Sequence, residues 1–177
     1  MYFELTLMSQ PDFHGPVHNI VPEGDDRTRQ VCLDCGYIAY QNPKVVTGAI
    51  CIWKEKILLC KRAIEPRKGF WTIPAGFLEL NETTAQGAAR EVWEEACAET
   101  NVTGLIGIYE IPRISQIYVV HLAEMTNPNF APGTESEEVT LCDFNEIPWE
   151  ELAFSSVQWA LDQYQENNFP AFGVHPC

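Results

Sequence analysis

The chain has 177 residues, 46% of them apolar, with 25 Asp and Glu against 11 Lys and Arg and a net charge of −14. That length holds one substantial core and a small appendage, and the apolar content with five Trp excludes a disordered chain. The acidic field disfavours nucleic acid and anionic membranes as partners, so a small anionic ligand would need a metal or local basic groups to hold it.

Residues 1–43 are rich in Pro, Gly, His and Asp without sustained periodicity, the composition of a small loop-rich module that needs a staple. Cys32 and Cys35 supply half of one. From Val45 the texture changes. Residues 45–53 are apolar and β-branched, residues 56–60 follow a short charged turn, and the pair is predicted as a hairpin. Residues 71–75 and 77–80 are short strand candidates around Gly76. Thr83 with Gln86 forms a capping-box pattern that opens a helix running to about residue 99. Strands are expected at 102–111 and 116–123, then a turn-rich loop at 127–135 and a strand near 139–144. Ser155 or Ser156 caps a last helix with Val157, Ala160, Leu161 and Tyr164 on one face. The class is α/β or α+β, divided as a module over 1–43, a main domain over 44–166 and a loosely ordered tail over 167–177.

Seven cysteines are an odd count in a chain long enough to stand on its core, so no disulfide framework is expected and a reducing compartment fits. Cys51, Cys60, Cys97 and Cys142 lie among apolar residues and read as small hydrophobes. No stretch approaches the length of a membrane-crossing helix, and residues 1–10 lack the features of a secretory signal. A cytoplasmic location is therefore expected, with a plastid one open for a eukaryotic source.

The informative segment is the predicted helix. Glu91, Glu94 and Glu95 fall within about 100° of arc, beside an apolar stripe of Ala85, Ala89, Val92 and Ala96, with Gly87 above the acidic face. A Glu triplet by itself is usually a solvated helix face. Gly76, Glu82 and Arg90 at fixed intervals before it make a different reading stronger: carboxylates gathered for a hard divalent cation, Mg²⁺ or Mn²⁺, that works on phosphates. Lys61, Arg62, Arg67 and Lys68 form the main basic cluster, followed by Phe70 and Trp71. Either this cluster holds phosphates and stacks a ring, or it is a solvated turn ahead of core aromatics.

Gly76-Phe-Leu-Glu-Leu-Asn-Glu82 through Arg90-Glu-Val-Trp-Glu-Glu-Ala-Cys-Ala98 resembles the Nudix box, G-x5-E-x7-R-E-U-x-E-E-x-G-U with U apolar, departing from it only at Cys97, where Gly is usual. The resemblance implies a Nudix hydrolase, an α/β/α sandwich of mixed sheet preceded by a ribbon-like module. It implies metal ligands at Glu91 and Glu95 with Glu94 assisting, a further ligand in the carbonyl of Ala75, and Glu82 with Arg90 as the pair that fixes the loop on the helix. Asn42-Pro43-Lys44, residues 58–67, 69–77, 130–136 and 146–156 extend it to a subgroup with an N-terminal zinc ribbon. That subgroup includes plant-type FAD pyrophosphatases and bacterial ADP-ribose pyrophosphatases. The implied reaction turns FAD into FMN and AMP, or ADP-ribose into AMP and ribose 5-phosphate, and the implied assembly is a homodimer. Related pyrophosphatases make Glu135 the first candidate for general base, with Glu94 as its rival.

Three alternatives stay open. NADH pyrophosphatases share both motifs, but here Ser115-Gln116 continues as Ile117-Tyr118 rather than with their Pro-rich stretch. A non-catalytic nucleotide sensor would have lost the box carboxylates, which are all present. The module itself either binds zinc through His14, His18, Cys32 and Cys35, or has lost the metal, because the ribbon's first Cys pair is missing.

Overall fold

A computed structural model describes residues 14–167 and 169–174. The chain divides into two compact units, Met1–Asn42 and Pro43–Cys177. In the first, strands β1 (His18–Ile20), β2 (Arg29–Val31) and β3 (Ile38–Ala39) form an antiparallel sheet in that order. Cys32 and Cys35 open a tight turn closed by Gly36 N–H on Cys32 O at 2.8 Å. Asp25 holds the β1–β2 connection by accepting from the N–H groups of Asp26 and Arg27 and from Arg29 Nε at 2.8 Å.

The described residues of the second unit build an eight-stranded mixed sheet. Its strands are β4 (Lys44–Trp53), β5 (Lys56–Arg62), β6 (Trp71–Thr72), β7 (Ala75–Phe77), β8 (Thr100–Ile111), β9 (Gln116–Met125), β10 (Ser136–Cys142) and β11 (Ala171–Val174). The order is β10-β5-β4-β9-β8-β11, with β6 paired to β5 and β7 to β4. The β4–β9 and β8–β11 pairs are parallel. Helix α1 (Thr84–Ala96) packs on one face and α2 (Ser155–Gln165) on the other.

Two covered faces explain the unbroken apolar runs of β4 and β5, since successive side chains point opposite ways. Ala49 and Cys51 join the cluster around Ala88, Val92 and Ala96 of α1, whereas Ile50 joins the cluster around Val157, Ala160 and Leu161 of α2. Along β5, Leu58 and Cys60 go to the first cluster and Ile57 and Leu59 to the second. Cys51, Cys60 and Cys142 are buried.

The structure changes several expectations. The chain after Glu166 is not wholly loose, because residues 171–174 pair in parallel with β8. Of the expected apolar stripe on α1, Val92 and Ala96 are turned inward but Ala85 and Ala89 are only half-buried, and the buried face is completed by Gly87, Ala88, Glu91 and Glu95. Gly87 is buried, and a Cβ there would meet Thr47 and Glu82 at 2.7 Å. The helix ends at Ala96 instead of near residue 99, and Cys97 takes the left-handed conformation (φ 49°) with its N–H on Trp93 O. That backbone is why a Gly is usual at this point of the box. An L-residue there carries a cost of about 1–2 kcal/mol. Cys97→Gly is therefore expected to raise stability by up to about 1 kcal/mol, read as a higher urea midpoint at unchanged slope.

Candidate active site

The start of α1 is anchored before any acid is placed. Thr83 accepts from Gln86 N–H at 3.2 Å while Gln86 Oε1 accepts from Thr83 N–H at 2.8 Å, the predicted capping box. Thr84 is tied to two neighbouring strands. Thr47 of β4 donates its hydroxyl to Thr84 O at 2.7 Å, and His121 Nε2 of β9 lies 3.1 Å from Thr84 Oγ1 with its Nδ1 3.2 Å from Gly104 O. Burial holds the His121 pKa below its usual value, which favours the neutral ring that donates to Gly104 and accepts from Thr84.

Two turns further along α1, Arg90 clamps the preceding loop. Its Nε and Nη2 reach the two oxygens of Glu82 at 3.1 and 2.8 Å, Nη2 also donates to Phe77 O, and Nη1 donates to Glu91 at 2.7 Å and Glu94 at 2.8 Å. Glu82 also accepts from Glu79 N–H at 2.7 Å. The Arg90 hydrogen bonds and that backbone bond hold its pKa down to about 2. Gly76 comes so close to this centre that a Cβ on it would strike the Glu91 carboxylate.

Glu91 and Glu95 retain only 8% and 6% exposure, whereas Glu94 is open to solvent. Burial raises the Glu91 pKa against the opposing pull of Arg90. Burial, then the charge of Glu91, pushes Glu95 up to about 8, opposed by Arg62 and by a backbone hydrogen bond from Ala75. Ala75 thus meets Glu95 through its N–H. The other oxygen, Glu95 Oε2, is buried without a hydrogen-bond partner. An orphaned carboxylate oxygen beside a second buried carboxylate is a poor arrangement for the protein alone and a good one for a hard cation. Mg²⁺ takes one or two protein carboxylates and completes its shell with water and phosphate, so Glu91 and Glu95 suffice for the protein's share.

The loop expected between the last strands docks on the end of α1. Ala131 N–H donates to Ala96 O at 2.9 Å and Gly133 N–H to Glu95 O at 3.0 Å, satisfying helix-end carbonyls. A Cβ at Gly133 would strike Glu94 O, so this approach requires glycine. Glu135 follows at once, exposed, its main-chain O held by Ala63 N–H at 2.8 Å. Its charge is felt by both Glu91 and Glu95. Tyr118 of β9 is buried within reach of the charges of Glu95, Glu91 and Arg62, and nothing in the sequence marks it.

The basic cluster divides. Trp71 is a core residue: it is buried, lies in β6 opposite Lys61, and its main-chain O accepts from Ala153 N–H at 2.8 Å. Phe70 is half-buried under the Arg67 guanidinium at 4.2 Å. Arg62 is stacked on Phe154 at 5.2 Å, and Lys68 pairs with Glu137 at 3.6 Å. A separate cavity of about 330 Å³, lined by Ile52, Trp53, Leu122 and Tyr164 among others, carries none of the helix carboxylates.

The zinc set is not brought together. Cys32 and Cys35 are adjacent, but His14 turns to Asp34 at 3.9 Å, and His18 lies exposed on β1 opposite Val31. Among the described residues no three His, Cys, Asp or Glu side chains converge as a ready metal cage. Two thiols are half of a tetrahedral site, and they do not fit a structural zinc by themselves.

The sequence matches the NUDIX domain family over residues 42–163 and the Nudix N-terminal zinc-ribbon family over 15–41. It is 33% identical over 136 residues to an ADP-ribose pyrophosphatase of Methanocaldococcus jannaschii, covering 75% of this chain and 79% of that protein. A crystal structure of a NUDIX hydrolase from Nitrosomonas europaea superposes with a TM-score of 0.84 at 47% identity, covering 90% of this chain and 93% of that one. A shorter likeness, 34% over 87 residues, is to a NAD-capped RNA hydrolase of Haemophilus influenzae, 32% of whose length and 47% of this chain are covered. With a mixed sheet between two helices and the acidic helix packed on one of its faces, the chain belongs to the Nudix hydrolase family.

Two outcomes are expected. Metal-free protein should lose stability as pH rises from 4.5 toward about 8, because the unfolded chain releases the Glu95 proton that the folded chain keeps. Glu95→Gln should remove that component of the slope. Mg²⁺ at a hundred times its Kd should add about 2.7 kcal/mol to the wild type and far less to the variant, as melting curves at several pH values would show. Protein purified without chelators should contain less than about a tenth of an equivalent of zinc by elemental analysis, since a bound structural zinc would need the four ligands that are not gathered.

Proposed function

We propose that the chain hydrolyses the pyrophosphate of a nucleoside diphosphate linked to a second group, with ADP-ribose or FAD as substrate and Mg²⁺ as the working cation. The orphaned, buried Glu95 oxygen beside Glu91 carries this reading, because cation binding is the chemistry that relieves it. Nudix hydrolases use divalent metals, and a cation bound by Glu91 and Glu95 would neutralise charge on the phosphates and make water a better nucleophile. Around it, Arg90 and Glu82 keep the acidic turn in register, and Arg62 and Arg67 offer positive charge to the phosphates. Glu94 is engaged by Arg90 and open to solvent, so it assists at the rim. Glu135 is the better general base: it bears on both buried carboxylates and has no ion pair of its own among the described residues.

The archaeal relative's name supports ADP-ribose, giving AMP and ribose 5-phosphate; the subgroup resemblance supports FAD, giving FMN and AMP. A small substrate suits a chain of net charge −14 better than a long polyanion. A homodimer is the proposed assembly, to be checked by light scattering.

Incubation with ADP-ribose, FAD and NADH in Mg²⁺ should release AMP, separable by chromatography, and the relative rates rank the substrates. Glu95→Gln should lower turnover by orders of magnitude with the fold intact. Binding of these ligands without AMP release would instead indicate a sensor, and full activity in the variant would refute the metal assignment.

A further inference from the structure

Most basic side chains with a polar contact in this acidic protein face a carboxylate: Arg29 pairs with Asp25, Lys56 with Asp143, Lys68 with Glu137, and Arg90 with three acids. Arg62 and Arg67 are built differently. Each gives its Nε to a main-chain carbonyl, Pro66 O at 2.9 Å and Ala153 O at 3.0 Å, and each lays its guanidinium on a ring, Phe154 and Phe70. Among the described residues neither has an acidic side chain at ion-pair distance. A guanidinium fixed at Nε and stacked on a ring keeps its terminal N–H groups free in a set plane, the form suited to two oxygens of a phosphate.

Of the two, Arg62 is the one whose charge reaches Glu95 and Tyr118. It ends β5 opposite Ser136, next to the loop that brings Glu135. Its platform is unusual in turn. Phe154 occupies the N-cap of α2, a position favoured by Ser, Thr, Asp or Asn, and makes no capping hydrogen bond. The segment is held in place by Arg67 on Ala153 O and by Ala153 N–H on Trp71 O. Helix α2 forgoes a side-chain cap while an aromatic face is presented to Arg62.

We propose that Phe154 is a positioning residue for the substrate's pyrophosphate: it holds the Arg62 guanidinium flat and directed toward the acidic turn of α1, where the arginine receives a phosphate oxygen. This rests on the pyrophosphatase reading and adds to it a residue from the opposite side of the sheet. The aromatic face does the positioning, so an apolar side chain of similar volume does not replace it.

The test compares Phe154→Leu, Phe154→Tyr, Arg62→Gln and the Phe154→Leu/Arg62→Gln double variant. With ADP-ribose or FAD, whichever the wild type cleaves faster, Phe154→Leu should raise KM about three- to tenfold, with a smaller change in kcat and little change in melting temperature. Phe154→Tyr should restore KM to within about twofold of wild type, because it keeps the ring. The double variant should be no worse than Arg62→Gln, as expected of two residues acting as one unit. Calorimetric titration of inorganic pyrophosphate with Mg²⁺, which needs no turnover, should show the same order of affinities. An unchanged KM and pyrophosphate affinity in Phe154→Leu, or losses that add in the double variant, would overturn the proposal. If the wild type cleaves none of the substrates, the functional reading fails, and the pyrophosphate titration still decides the role of Phe154.

Discussion

Two carboxylates one helical turn apart are kept out of water, and the rest of the second unit is arranged around that burial. Glu91 shares Arg90 with two other acids, and Glu95 has a backbone N–H on one side and an unanswered oxygen on the other. Such a pair persists only if the surrounding structure holds it. The inward face of α1 therefore combines small residues with acids, and Gly76 lies where any side chain would displace Glu91. Like charges at this spacing oppose the helix weakly, by about 0.2–0.5 kcal/mol per pair, but burial multiplies the cost. A bound cation is the natural relief.

Both ends of α1 are fixed from outside. Thr47 and His121 seize its first residue from adjacent parallel strands, and the 131–133 backbone caps its last carbonyls while delivering Glu135. The buried carboxylates thus sit on a helix held at both ends, with Glu135 on a loop that the same helix anchors. The basic side is tied to the scaffold in a different way, through stacking and main-chain carbonyls instead of ion pairs. Arg90 is paired with the acids around it, whereas Arg62 and Arg67 have no ion-paired carboxylate among the described residues.

The N-terminal unit answers a different problem. A sheet of three very short strands buries little: among the described residues of this unit Val31 and Cys32 are the buried apolar ones, while Val17, Ile20, Leu33 and Tyr37 are exposed. Related ribbons use a metal to offset this. Here Asp25 draws the β1–β2 connection together through three donors, and the Arg29 bond first among them holds its pkₐ near 2. Cys32 and Cys35 sit on a backbone turn in which Gly36 N–H donates to Cys32 O and Cys32 N–H donates to Tyr37 O.

How much of this was legible can be argued residue by residue. Alternation and turn chemistry located most strands of the sheet and the capping box at Thr83 because those signals are local, whereas residues 171–174, expected to be loose, become a strand only by pairing with β8. The interval from Gly76 to Glu95 identified the acidic helix because chain spacing maps directly onto one face of a helix. The substrate side was harder. Trp71 and Phe70 are neighbours of the same chemical type, yet one lies buried in β6 and the other, just before the strand begins, supports Arg67, a division that only the packed sheet makes visible. Phe154, Tyr118 and His121 carry no motif; Phe154 meets Arg62 at the end of β5, His121 meets Thr84 at the start of α1, and Tyr118 lies buried within reach of the charges of Glu91 and Glu95, all through contacts between distant segments. Sequence by itself determined the family, the helix and its carboxylates, all encoded within some twenty consecutive residues. Tertiary structure alone decided which carboxylates are buried, how α1 is rotated and which aromatic holds which arginine, because these follow from contacts between segments distant along the chain.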